Sequence, residues 1–223
     1  GAIHGLHVHP PGNELNPETS AKLQEEFKKH CQAAGNEKVE LSMVVGKVSD
    51  QLKERARFID LIVLPLNHPP GEKPSERLGS GLHAIIHRYS RPILVVPGPA
   101  KPLQKALLAY DGSPKAKEAL YIAGYMASKW NTNLTVLTSS QGISAIESVH
   151  QEAENHLMKY GVQATYEKTD LSVENEISAL SRNNTFDLVL MGGYSASPML
   201  EVVLGSAVNQ VLREVKLPIF ICR

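Results

Sequence analysis

The chain has 223 residues, enough for one large domain or two small ones. Its 23 basic and 23 acidic residues cancel, so it lacks the charge footprint of a nucleic-acid or anionic-membrane binder; neither partner is expected. Cys31 and Cys222 have no pairing or metal spacing, no signal peptide is legible, and no apolar run approaches the roughly 18 residues of a membrane helix; a reducing cytoplasm is the expected compartment.

In chain order, Ile3–Val8 reads as a strand and Pro17–Ala34 as a helix, with Asn16 as its cap, Leu23, Phe27 and Cys31 on one face, and Gly35 as its stop. Val39–Val45 follows as a strand, Val48–Phe58 as a helix, Leu61–Leu64 as a strand, Gly79–Tyr89 as a helix and Pro92–Val96 as a strand. After the Pro/Gly-rich stretch Pro97–Pro102, Ala106–Tyr110 reads as a buried strand and Asp111-Gly112-Ser113-Pro114 as a turn with a cap and an early helical proline. Ala116, Leu120, Ala123 and Ala127 recur at helical spacing. Strands Leu134–Leu137, Val162–Glu167, Phe186–Met191 and Pro218–Cys222 then alternate with helices Ser144–Tyr160, Val173–Leu180 and Gly205–Val215. Strict alternation implies an α/β fold, a parallel sheet with helices on both faces.

The chain repeats itself. Asp60-Leu61-Ile62-Val63-Leu64 matches Asp187-Leu188-Val189-Leu190-Met191, Leu78-Gly79-Ser80 matches Leu204-Gly205-Ser206, and Arg91–Val96 matches Leu217–Cys222, at offsets of 127, 126 and 126. Two copies of one domain are therefore expected, residues 1–97 and 103–223, joined by a linker at 98–102. Nothing before Ile3 matches residues 103–132, so the first copy is expected to lack its first strand and first helix. That strand would be the centre of the sheet; either the chain is a fragment, or another segment fills the gap, or this half pairs its strands differently.

The most informative segment is Met191-Gly192-Gly193-Tyr194-Ser195, followed by Gly205-Ser206-Ala207 at the start of a helical pattern. Glycine lets backbone approach an oxyanion, and a helix N-terminus offers unpaired N–H groups and a favourable dipole. Many strand-to-helix turns carry Gly and Ser for packing and capping alone, and that reading stands beside the phosphate one.

These motifs resemble the universal stress protein family, across nearly the whole chain and most specifically in the second copy. The family's nucleotide-binding members carry an Asp at the end of strand 1, as in Asp111-Gly112-Ser113, and Gly-x-x-Gly, nine residues, then Gly-Ser or Gly-Thr. Here Gly192 is the first glycine, Ser195 replaces the second, and Gly205-Ser206 stand nine residues further on. If phosphate needs bare backbone at Ser195, affinity falls; a serine hydroxyl would instead donate a compensating hydrogen bond. The resemblance implies a Rossmann-like sheet of the adenine nucleotide alpha hydrolase type, with strand order 3-2-1-4-5 and a ligand crevice between strands 1 and 4. It further implies that Ala109, Tyr110, Asp111 and Ser139 line base and ribose, while Met191, Gly192, Ser195, Gly205, Ser206 and Ala207 hold the phosphates of ATP with Mg²⁺. The plainer role for Asp111 is a helix cap.

The first copy offers Pro65 or Leu66 and His68 where Gly192 and Ser195 stand, and reads as a degenerate half. His7 and His9 share a strand face and His83 and His87 a helix face; these are surface or capping histidines before they are metal ligands. No nucleophile–base–orienter arrangement is legible, so the expected activity is binding, with weak ATP hydrolysis as the alternative. Two function classes remain: a stress-response protein with an adenine nucleotide as regulatory ligand, or a tandem interaction module without nucleotide. In both, Pro92–Val96 and Pro218–Cys222 pair edge to edge in an intramolecular pseudo-dimer, which leaves room for a further homo-oligomer.

Overall fold

The computed structural model describes residues 1–12, 16–73, 75–76, 81–89, 91–99, 102–143, 145–193 and 206–222. The chain separates into two compact units, Gly1–Phe58 and Ile59–Arg223.

In the first unit, β1 (Ile3–His9) pairs in parallel with β2 (Val39–Val45), Ile3 opposite Val39 and His9 opposite Val45. Between them runs α1 (Pro17–Ala33), and α2 (Val48–Arg55) follows β2 and ends in a 3-10 turn, Ala56–Phe58. Asn16 caps α1 as its sequence implies: its side chain accepts from the amides of Glu18 (2.9 Å) and Thr19 (3.2 Å), with proline at the first helical position. Gly5 has a packing role, since a Cβ there would lie 2.7 Å from the Leu41 side chain and 2.8 Å from that of Phe27. Leu52 is the one apolar side chain that is fully buried among the described residues of this unit. Two strands and their helices enclose little core.

The second unit is built on a seven-stranded sheet ordered β3-β4-β9-β8-β5-β6-β7. Its strands are β3 (Ile62–Pro65), β4 (Ile93–Val96), β5 (Lys105–Ala109), β6 (Asn133–Ser139), β7 (Ala164–Thr169), β8 (Leu188–Gly192) and β9 (Ile219–Cys222). Its helices are α3 (Gly81–Arg88), α4 (Pro114–Trp130), α5 (Ile146–Met158), α6 (Val173–Arg182) and α7 (Ala207–Glu214). Every described pair is parallel except β4–β9, which is antiparallel, with Val95 opposite Ile219. From β5 to β9 the order is the expected 3-2-1-4-5, with β5 at the centre. The last strands of the two halves do meet, through β4 and β9.

The core lies along the central strands, where Leu108, Val136, Leu188, Leu190 and Ile219 are fully buried. These are near-continuous apolar runs, as parallel strands covered on both faces require. Asp187 ties the amino ends of two of them: its Oδ2 accepts from the amides of Gln104 (3.2 Å) and Lys105 (3.0 Å) just where β5 begins. Asp187→Ala leaves both donors without this acceptor and is expected to cost about 1–3 kcal/mol in chemical denaturation. An unchanged midpoint would mean water replaces the carboxylate without loss.

Several expected boundaries shift. The expected Ser144–Tyr160 helix is α5, Ile146–Met158, whose Ala145 supplies no side-chain cap and whose chain turns out at Gly161, φ +68°. The expected Val162–Glu167 strand moves two residues on, because Lys168 and Thr169 pair with Thr138 and Ser139. The expected Val48–Phe58 helix ends at Arg55. The start of the expected helix at Gly79–Ser80 lies outside the described residues. β1 pairs with β2 in the first unit, and β3 pairs with β4 in the second.

Candidate functional site

The sheet order reverses at β5, whose two neighbours are β6 and β8. At the carboxyl ends of these strands opens a cavity of about 540 Å³, the size range of small-molecule sites and the place where open α/β sheets bind ligands.

The end of β5 contributes Ala109, Tyr110 and Asp111. Thr138, wholly buried, donates from Oγ1 to the Tyr110 carbonyl (2.8 Å) and holds this end against β6. Asp111 is not the cap of α4. Ser113 is, its hydroxyl accepting from the Ala116 amide at 3.3 Å, while Asp111 Oδ1 accepts from the Ser113 amide at 2.9 Å and sets the turn. The Tyr110 phenol is pushed well above its usual range by burial, then by the neighbouring Glu152 carboxylate, and it stays neutral.

The end of β8 brings Met191, Gly192 and Gly193 to the opposite wall. Gly192 owes its identity to packing: a Cβ there would stand 3.0 Å from the Ala116 amide nitrogen and 3.1 Å from the Lys115 carbonyl carbon, both backbone at the start of α4. At Gly193 a Cβ would stand 2.8 Å from the Cys222 carbonyl oxygen, to which the Gly193 amide itself donates. Burial pushes the Cys222 thiol up to about 12, with Glu118 adding to it, so the thiol is inert at neutral pH.

Ser206 and Ala207 reach the cavity from the start of α7. The Ser206 hydroxyl accepts from the Asn209 amide at 3.2 Å and is the cap of that helix, so the part of it facing a ligand is backbone and hydroxyl hydrogen. Ser139 also lines the cavity, but its hydroxyl donates to the Leu171 carbonyl at 2.6 Å and accepts from Gln141; Ser140 donates to Asp170 at 2.8 Å. Both tie the loop after β6 to the loop after β7.

Eight of the ten residues named from the sequence thus line one cavity: Ala109, Tyr110, Asp111, Ser139, Met191, Gly192, Ser206 and Ala207. Ser195 and Gly205 lie outside the described residues. Two further segments were not picked out, Gln141–Ile143 after β6 and Ser172–Glu174 at the start of α6. Their signal was positional rather than compositional: they follow the carboxyl ends of β6 and β7, the two strands next in order from β5. The histidine pairs sit close, with ring centroids 4.5 Å apart for His7 and His9 and 4.4 Å for His83 and His87. Among the described residues no group of three His, Cys, Asp or Glu side chains is placed to hold a metal.

A mostly parallel sheet, with a switch-point cavity walled by glycine and two helix starts, defines the class as a Rossmann-like α/β fold. The universal stress protein family model matches residues 102–223. The chain belongs to the universal stress protein family. It is 29% identical over 213 residues to universal stress protein Slr1230 of Synechocystis, covering 94% of this chain and 74% of that one. The crystal structure of a universal stress protein from Archaeoglobus fulgidus superposes with a TM-score of 0.79 at 19% identity, covering all of this chain and 86% of that one. A structure from Pseudomonas aeruginosa of unknown function gives 0.65 at 14%, over 99% of this chain and 82% of that one. Among the described residues no helix is long and apolar enough to cross a membrane.

Proposed function

We propose that the cavity at the carboxyl ends of β5 and β8 binds an adenine nucleotide, with ATP and Mg²⁺ as the first candidates, and that the ligand acts as a regulatory signal. The observation that carries this reading is the convergence on one crevice of the Asp111 turn with the Gly192 strand end and the Ser206 helix start, which lie far from it in sequence. Glycine at the strand end and a helix start beyond it are the elements a phosphate group needs. Among the described lining residues no nucleophile is paired with a base, and the role proposed for the ligand is binding.

The test is calorimetric titration of ATP with Mg²⁺ into the protein and into its Asp111→Ala and Asp111→Asn variants. One-site binding weakened about tenfold or more by alanine, roughly 1.4 kcal/mol, is the expected result. Asparagine retains an acceptor for the Ser113 amide and separates the turn from the charge. No heat and no thermal shift at saturating ATP overturns the reading.

The two halves are read as copies of one unit, residues 1–97 and 103–223. Ile62 pairs with Ile93 across β3–β4, and Val189 with Ile219 across β8–β9, the same pair displaced by 127 and 126 residues. The antiparallel β4–β9 pair covers one edge of each half, and that feature favours the second reading, an interaction module that works without nucleotide.

A further inference from the structure

The charged lining of the cavity is all of one sign. Among the described residues that line it, Asp111 and Glu174 are acidic and there is no lysine or arginine. Lys115 has its backbone against Gly192 but is not among the lining residues, and Arg223 lies outside the described residues.

What the cavity does offer is neutral. The starts of α6 and α7 face it, and the Ser172 hydroxyl at the first of these is buried with no hydrogen-bond partner. A hydroxyl in that state favours a ligand group that can donate or accept without charge, such as a ribose hydroxyl or a base nitrogen. Two helix dipoles stabilise about one negative charge far better than the four of metal-free ATP, and two carboxylates oppose every further one.

Taking the cavity as an adenine nucleotide site, we infer that it selects by charge: it takes the nucleoside or its singly esterified phosphates in preference to metal-free ATP, and accepts ATP only as its magnesium complex. Asp111 and Glu174 both set this preference, and Glu174 is the one to replace, because Asp111 also holds its turn through Oδ1.

The experiment is titration of adenosine, AMP, cyclic AMP and ATP, the last with Mg²⁺ and with EDTA, at low and high salt. Metal-free ATP is expected to bind at least about tenfold more weakly than AMP, the gap closing with Mg²⁺. Raising ionic strength from about 0.05 M to about 0.5 M should tighten metal-free ATP, because screening relieves repulsion, where a basic phosphate site weakens with salt. Glu174→Gln should raise the ratio of metal-free ATP to adenosine affinity severalfold. Metal-free ATP binding as tightly as AMP, or weakening with salt, overturns the charge inference and leaves the nucleotide reading standing. If none of the four binds, the nucleotide reading fails and the inference falls with it.

Discussion

Gly192→Ala and Gly193→Ala are each expected to lower thermal stability and to lose nucleotide binding, with Gly193→Ala the more severe. Neither glycine sits at positive φ, so the cost comes from contact rather than from backbone conformation. At Gly192 the added methyl meets the first turn of α4 at 3.0 Å, and that turn is fixed by the Ser113 cap and the Asp111 bridge. At Gly193 it meets the Cys222 carbonyl at 2.8 Å, closer than a real Cβ contact, and the obstacle is the backbone of a strand pinned between two others. Neither neighbour is the free end of a flexible side chain, so backbone must shift, the start of α4 at Gly192 and strand β9 at Gly193. Overpacking of this kind costs about 1–3 kcal/mol, roughly 2–4 °C in melting temperature for each kcal/mol in a chain of this size. The same displacement moves the Asp111 turn away from β8, and affinity for ATP with Mg²⁺ should drop by about tenfold or more. Calorimetric scanning and titration of both variants test this. A variant that melts normally and binds normally would show that the crevice is wider than its geometry here.

Much of the second unit is legible in the sequence for a definite physical reason. Strands covered on both faces must be apolar throughout, so Ala106–Ala109 and Leu188–Met191 stand out as runs, and Ser113-Pro114 and Ser206 mark helix starts by their capping chemistry. The edge strand β7 is read less well. Its alternating burial weakens the apolar signal, and its polar end is decided by its partner β6. The site divides in the same way. Asp111 and Gly192 are legible because local geometry restricts the residue types that can stand there: Asp111 sets the turn before α4, and a Cβ at Gly192 would press on the backbone of that helix. Gln141–Ile143 and Ser172–Glu174 are not, because a loop that merely walls a crevice can be built from many residues, and only the sheet order brings the ends of β6 and β7 to the same cavity. That β1–β2 and β3–β4 lie in different sheets is decided by tertiary topology, and local propensity carries no trace of it.

The β4–β9 junction gives the last large effect. Ile219 lies opposite Val95 on one side and Val189 on the other, and all three side chains are buried. It is thus a central residue of a sheet whose two halves run in opposite directions, and no other described strand pair joins β3–β4 to β5–β9. Ile219→Ala is expected to cost about 2–5 kcal/mol, because the cavity it opens lies between two hydrogen-bonded strands that cannot collapse onto it. The conservative Ile219→Val should cost only about 0.5–1.5 kcal/mol. At roughly 2–4 °C for each kcal/mol, circular dichroism melts resolve the two variants. The comparison separates packing from pairing, since valine keeps the strand's β preference and its ladder while shortening one branch. If alanine and valine melt alike and close to the parent, Ile219 is not buried between three strands in solution. The edge of β9 would then be open, and the two halves would be free to pair with other chains instead of with each other.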